Sequence, residues 1–373
     1  MTNQNDATKE RAWLQRLNIT NFRGVKSGLI EGLAPLSVFV GRNGQGKSTI
    51  LEAAFIFATA PEVRTFVHAI TRRGWSGPAM WEFITPVSMS PRYVPGQTFQ
   101  FSISGAVRRD DKAASTELKV DCSVTRTFDP KIAEAARVEG LINPDVQVNV
   151  ALTGDRMGTM TAMVGTDGRL SRPTVVSGSS VQCLDGAALL DADTFRRPQQ
   201  ITASVSGATV GGWLEAALSF ARRVVPGLSD IRIVERHGTS LTMLYYGEGK
   251  PSIPFHVAGD GVRRLIELSL GVLGGPTGII AIEEPENFLH PGSRRVCAEV
   301  IWAAVNRGEQ VMVSTHNLEF LDDLLGVNGQ RPQDMDNVAI FRTSLIDDVL
   351  TTVRISGKDA KDSREILGQD LRA

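Results

Sequence analysis

The sequence predicts an α/β protein whose sheet is interrupted by an inserted, antiparallel β-rich lobe. Three observations carry that prediction. Helical and strand patterns alternate at both ends of the chain, which favours a largely parallel sheet covered by helices. Short runs of period two fill the middle, as antiparallel strands do. Two polar clusters, "GRNGQGKST" and "EEPEN", each follow directly on an apolar run. That is the arrangement expected where a ligand meets the carboxyl ends of buried strands.

Taken in order, "WLQRLNI", "VKSGLI" and "LSVFV" read as strands separated by "TNFRG" and "EGLAP". "STILEAAFIFATA" is apolar on nearly every face, which predicts a buried helix stopping before Pro61. "TFQFSISGAV", "TELKVDCSVTRTF", "VQVNVALTG" and "GTMTAMVG" read as antiparallel strands. Residues 165–210, rich in Gly, Ser, Thr and Val, carry no period that places them. "GGWLEAALSFARRVV" is helical, "IRIVER" and "LTMLYY" flank a hairpin turn, and "GVRRLIELSLGVL", "GIIAI", "SRRVCAEVIWAAVNRG" and "VMVST" restore the alternation. The expected division within one domain is a first α/β part (13–60), an inserted β-rich lobe (61–210) and a second α/β part (211–373).

Lys+Arg 40 against Asp+Glu 41 gives a net charge of −1, so any contact with a polyanion has to come from a local patch. The arginine pairs Arg72/Arg73, Arg108/Arg109, Arg196/Arg197 and Arg222/Arg223 are candidate phosphate ligands, with solvated faces as the competing reading. Cys122, Cys183 and Cys297 are far apart, without CxxC or His/Cys clustering, so neither a zinc site nor a disulfide frame is expected. "MTNQNDATKERAW" lacks a signal-peptide core. The longest apolar stretch, "LSLGVLGGPTGIIAI", is broken by glycines and a proline. No membrane contact and a cytoplasmic location are expected.

Gly41, Gly46, Lys47 and Ser48 fit G-x-x-x-x-G-K-[ST] between an apolar strand and a helix, the context this phosphate loop requires. Backbone N–H groups of Arg42, Asn43, Gly44, Gly46 and Thr49 would cradle phosphate oxygens at a helix N-terminus. Lys47 would reach the β- and γ-phosphates of ATP, and the Ser48 hydroxyl would ligate Mg2+. A glycine turn capped by Ser48 is the bland alternative.

Glu283 and Glu284 end the run "GIIAI". Two adjacent carboxylates at the end of a buried strand repel and lose hydration unless a cation sits beside them. Glu283 is placed to support Mg2+, and Glu284 to polarise an attacking water as general base. His316 follows "VMVST" at the same predicted edge and could register a γ-phosphate. The acidic pairs Asp322/Asp323 and Asp347/Asp348 read as solvated helix and turn faces.

With these residues in place, the chain resembles the ABC-type ATPase heads of the SMC/RecF/OLD group, specifically a stand-alone OLD-like AAA ATPase. "NITNFRGVK", "GRNGQGKSTILEA", "HVAGDGVRRLIELSL", "GIIAIEEPENFLHP" and "VSTHNLEFL" run in family order, over residues 13–60 and 211–320. The resemblance implies a P-loop NTPase fold, ATP hydrolysis and a homodimer closing around two ATP molecules. Gly259, Asp260 and Gly261 would be the signature segment that faces a partner's nucleotide, with Ala258 where a serine is usual. Arg23 of "NFR" would lie beside the nucleotide, and Gln97 and Gln100 are candidates for a glutamine loop. No heptad arm intervenes, and the 53 residues after 320 leave no room for a Toprim nuclease. The family implies DNA, or a separately encoded nuclease or effector, as partner in phage defence or genome maintenance. A RecF-like repair protein and a nucleotide-gated scaffold or toxin regulator are the alternatives.

Overall fold

The computed structural model describes residues 12–72, 84, 98–110, 114–126, 130–142, 144, 146–155, 157–165, 169–179, 182–184, 186–191, 198–236, 238–247, 249, 251–275, 278–327 and 334–372. In chain order the elements begin with β1 (Ala12–Phe22), β2 (Val25–Glu31), β3 (Leu36–Val40), α1 (Lys47–Thr59) and α2 (Val63–Thr71). They continue with β4 (Thr98–Arg109), β5 (Thr116–Arg126), α3 (Pro130–Val138), β6 (Val146–Thr153), β7 (Gly158–Val164), β8 (Thr174–Gly178) and β9 (Ala187–Leu190). Then come α4 (Pro198–Gly211), α5 (Leu214–Arg222), β10 (Leu228–Arg236), β11 (Thr239–Tyr246), β12 (Ile253–Pro254), α6 (Asp260–Leu273) and β13 (Ile279–Glu283). The last are α7 (Pro291–Asn306), β14 (Gln310–Thr315), α8 (Leu318–Leu325), β15 (Val338–Ile346), β16 (Val349–Ser356) and α9 (Gly357–Leu367).

One sheet dominates, in the order β8-β7-β6-β5-β4-β1-β2-β16-β15-β3-β14-β13-β9. From β15 to β9 the strands pair in parallel, and from β8 to β2 they pair antiparallel. β3, β13 and β14 are buried along almost their whole length, as strands covered on both faces must be. This explains their near-continuous apolar sequence.

The antiparallel β-rich middle expected from the sequence is present as β4 to β8. These strands extend the same sheet through β1. The physical reason lies in α1. Its residues from Ile50 to Thr59 are all buried, and it touches β13, β14 and β9 on one side and β1 and β4 on the other. A helix apolar all round has to be enclosed. Both halves of the sheet enclose it, and a single core joins Ile50 and Phe57 to Ile103, Val120 and Val148 as well as to Ile279 and Ala281. β9, which falls within residues 61–210, pairs with β13 on the opposite edge. Part of residues 165–210, unplaced by pattern, thus becomes β8, β9 and α4.

The other face of the parallel half is covered by α6, α7, α8 and α9 over a second core that includes Val38, Ile282, Val313 and Ile340. The predicted hairpin at 231–246 is β10 and β11, packed with α4 and α5 on α6. Asp322 and Asp323 pair with Arg364 and Arg294, and Asp347 and Asp348 form the β15–β16 turn with φ of 49° and 61°. All three cysteines are buried as free thiols.

Candidate nucleotide-binding site

Three parallel strands, β3, β14 and β13, lie side by side and end at the same edge, each delivering one part of the site. After β3 the chain turns into the loop 41–46. Gly46 sits at φ 81°, where an added Cβ would meet the Leu350 side chain at 2.9 Å; Gly41 sits at φ 143°, 2.9 Å from the Thr343 carbonyl by the same measure. Both positions need glycine for backbone angle and for closeness. The loop is fastened to β15 by the Leu345 amide, which donates to Gln45 Oε1 at 2.6 Å. Lys47 is buried and folds back, donating from Nζ to the carbonyls of Gly41 at 2.8 Å and Arg42 at 2.9 Å. Beside it lies a cavity of ≈ 500 Å³ reached by Arg23, Asn43, Gly44, Gly46, Lys47, Ser48, Thr49, Glu52 and Glu284. That volume suits a nucleotide-sized ligand.

After β13 come the carboxylates. The Ser48 hydroxyl donates to Glu283 Oε1, and Glu283 Oε2 accepts from Arg72 at 2.9 Å. Glu284 holds φ 42°, a left-handed angle that costs a non-glycine residue on the order of 1 kcal/mol or more. It is kept there by its amide, which donates to the Ser314 carbonyl at 3.0 Å, and by Asn287 Nδ2, which donates to its Oε2 at 2.9 Å. After β14, His316 Nδ1 lies 2.9 Å from Glu284 Oε1. The left-handed turn therefore aims Glu284 at the cavity and the histidine together.

Among the described residues no group of three or more His, Cys, Asp or Glu could enclose a metal. What is present is a hydroxyl and a carboxylate, both hard oxygen donors, in direct contact at the cavity edge. Mg2+ takes one or two such protein oxygens and completes its shell with phosphate and water, so the residues fit.

Burial lowers the Lys47 ammonium from its ordinary range, opposed by the charges of Glu284, Glu286 and Glu283. Glu286, buried in the loop after β13, is pushed up to about 7, chiefly by burial. Thr315 donates to its Oε1, while its Oε2 has no hydrogen-bond partner among the described residues.

Several residues singled out in the sequence lie outside this cavity. Arg42 lines two neighbouring cavities, one with Arg342 and Arg372 and one with Asn43 and His316, and not the main one. Gly259, Asp260 and Gly261 open α6 and do not reach the cavity; Asp260 pairs with Arg263. Gln100 lies opposite Ser123 in the antiparallel half, outside the main cavity's lining. Two arginines proposed for DNA are buried: Arg72 among carboxylates, and Arg109 against Asp155 and the Cys183 carbonyl. A guanidinium buried and paired with carboxylates inside the core cannot also serve a phosphate on the surface. Arg222 and Arg223 pair with Glu215 and Glu299, and Arg108 is exposed. Gln97, Arg73, Arg196 and Arg197 lie outside the described residues.

Three residues of the site escaped sequence reading. Glu52 is buried in α1 and holds Arg23 at 3.0 Å and Arg72 at 2.9 Å. Asp191 follows β9 and binds Arg72. Arg264, fully buried on α6, donates to the backbone carbonyls of Asp191, Glu283 and Glu284. Only Glu52 left a signal: a lone carboxylate inside an apolar helix demands a partner.

Comparison with known proteins fits this geometry. The family described as "AAA domain, putative AbiEii toxin, Type IV TA system" matches residues 186–322. The energy-coupling factor transporter ATP-binding protein EcfA1 of Thermotoga maritima is 27% identical over 119 residues, covering 32% of this chain and 45% of that protein. The DNA replication and repair protein RecF of Acinetobacter baumannii is 46% identical over 54 residues, 14% of this chain and 15% of RecF. The chain thus spans less than half the length of either relative. An Smc head domain from Pyrococcus furiosus, solved with the C-terminal domain of ScpA, is similar in outline only: 12% identity, a TM-score of 0.47, and coverage of 96% of this chain and 100% of that one. Sequence shared with transporter and repair ATPases is joined here to a phosphate loop and paired glutamates at one sheet edge, a combination in which the chain is similar to the ABC-type ATPases of the SMC/RecF group.

Proposed function

We propose that the chain binds ATP with Mg2+ beside Lys47 and hydrolyses it, and that ATP closes two copies head to head. The observation that carries this reading is the meeting of Lys47, Ser48, Glu283, Glu284 and His316 at one edge of the sheet. Amides of the loop and Lys47 hold the phosphates, with Lys47 exchanging its two carbonyl partners for phosphate oxygens. Ser48 and Glu283 would hold Mg2+, which would supply charge neutralisation to the phosphates. Glu284 accepts the proton of the attacking water, and His316 keeps that carboxylate oriented. Arg23, on the cavity wall, contacts phosphate or base.

Gly259, Asp260 and Gly261 lie outside their own cavity and present amides at the start of α6, where a second copy's phosphates would meet them. Loss of the γ-phosphate then loosens the pair. The closing and opening would act on DNA or on a separately encoded nuclease or effector, in phage defence or genome maintenance. The short RecF match favours a RecF-like repair role as second reading, and the toxin named in the matching family favours a nucleotide-gated regulator. No helix among the described residues is long and apolar enough to cross a membrane.

Glu284→Gln is expected to keep ATP binding, reduce turnover at least a hundredfold and accumulate an ATP-bound dimer on gel filtration. Wild-type turnover in that variant removes Glu284 as the base. Lys47→Ala is expected to weaken ATP binding at least tenfold by calorimetry, and unchanged binding removes the phosphate loop. ATPase measured with and without duplex DNA across a salt series separates a DNA-linked machine from a regulator.

A further inference from the structure

The structure assigns to Arg72 a positioning role toward Glu283: its guanidinium fixes which carboxylate oxygen faces Ser48 and tempers the charge offered to a divalent cation. This rests on the reading of Ser48 and Glu283 as the metal-holding pair.

Arg72 caps the C-terminus of α2 and is 3% exposed. One nitrogen, Nη2, donates to Glu52 Oε1 at 2.9 Å and to Glu283 Oε2 at 2.9 Å, and Nη1 donates to Asp191 Oδ2. One guanidinium thereby ties together α1, the end of β13 and the residue after β9. The planar fork suits this task, and a lysine could not reproduce it. Glu52 also holds Arg23 at 3.0 Å. Among these five groups two cations face three anions, so the cluster carries one excess negative charge beside Ser48.

Glu283 consequently has divided duties. Its Oε2 is committed to Arg72 and its Oε1 to Ser48. Ser48 lines the cavity, so a cation there would meet the oxygen bonded to Ser48, oriented by the Arg72 bond to the other. Arg72 also opposes that cation electrostatically. Glu52 acts in the other direction, because it draws on the same arginine nitrogen that holds Glu283. Removing Arg72 or removing the Glu52 charge should therefore shift cation affinity in opposite senses. A merely structural clamp would shift both alike or neither.

The test is Mn2+ titrated into ADP-loaded protein, read by the electron paramagnetic resonance signal of free Mn2+, with melting curves alongside. Arg72→Gln is expected to bind Mn2+ on the order of tenfold more tightly while turnover falls. Glu52→Gln is expected to bind it several-fold more weakly. Shifts of the same sign, or no shift in either, overturn the inference. Where Arg72→Gln fails to fold, Arg72→Lys serves: it keeps the charge and loses the fork, so Mn2+ affinity should stay within about twofold while turnover drops about tenfold. Turnover at the wild-type level in Arg72→Lys overturns the positioning role. Ser48→Ala separates the two layers. If it binds Mn2+ as wild type does, the metal-site reading falls and this inference with it. If it loses Mn2+ while the Arg72 and Glu52 variants stay unshifted, the inference alone falls.

Discussion

Glu286 is a carboxyl group in a place that favours the neutral form. Burial raises it to about 7 from an ordinary 4.5, and the Glu284 charge adds to the rise while Thr315 and His316 oppose it. The native state therefore holds this proton more tightly than the unfolded chain does. Its stabilising contribution is full below about pH 4.5, falls as pH rises through the window between the two values, and is gone above about pH 7. The span corresponds to roughly 3 kcal/mol. Glu286→Gln should flatten the fall in melting temperature between pH 5 and 7.5; an unchanged slope would show that Glu286 is ionised in the native protein. Lys47, Ser48, Glu283, Glu284 and His316 were legible in the sequence because each stands at a fixed offset from an apolar strand. Glu286 was not, since its burial depends on how the loop after β13 folds back under Thr315.

Helix α1 shows what an element owes to its surroundings. Phe57 is fully buried, and Gly105 of β4 leaves room for its ring: a Cβ there would stand 3.0 Å from Phe57 Cζ. Phe57→Ala is expected to cost about 3–5 kcal/mol in denaturant unfolding. The transition should remain single, because α1 belongs to the core shared by both halves of the sheet; a split transition would show that the halves are independent. The segment after α9 is a second case. Leu371 is buried in the core under α7 and α8, and Arg372, braced by Asp370 at 2.7 and 2.9 Å, donates to the His316 carbonyl at 2.7 Å. Arg372→Ala should lower kcat roughly three- to tenfold with ATP affinity unchanged within twofold. Equal kcat would remove this brace from the site. The helical period made α1 legible as buried, but nothing in "GQDLRA" signals that it reaches the histidine.

At the scale of the molecule, the cavity and the start of α6 are separate places, and the proposed closure brings them together only between copies. Gly259 offers a clean probe, since it has φ −59° and a Cβ there meets nothing within 4 Å. Gly259→Leu should fold normally and bind ATP as the parent does. Introduced into Glu284→Gln, it should abolish the ATP-dependent dimer on gel filtration; a persistent dimer would exclude this face from closure.

By itself the sequence determined the local chemistry. A glycine loop between strand and helix, glutamates ending an apolar run and a histidine ending another are statements about neighbours in the chain, where period and turn residues suffice. Tertiary structure alone decided that the β-rich middle wraps α1 in one sheet, that β9 crosses to the far edge, and that Arg72 serves Glu283 rather than a surface phosphate. Those outcomes depend on pairing strands and burying charges distant in sequence. The balance of desolvation against salt-bridge formation is set only when the elements meet.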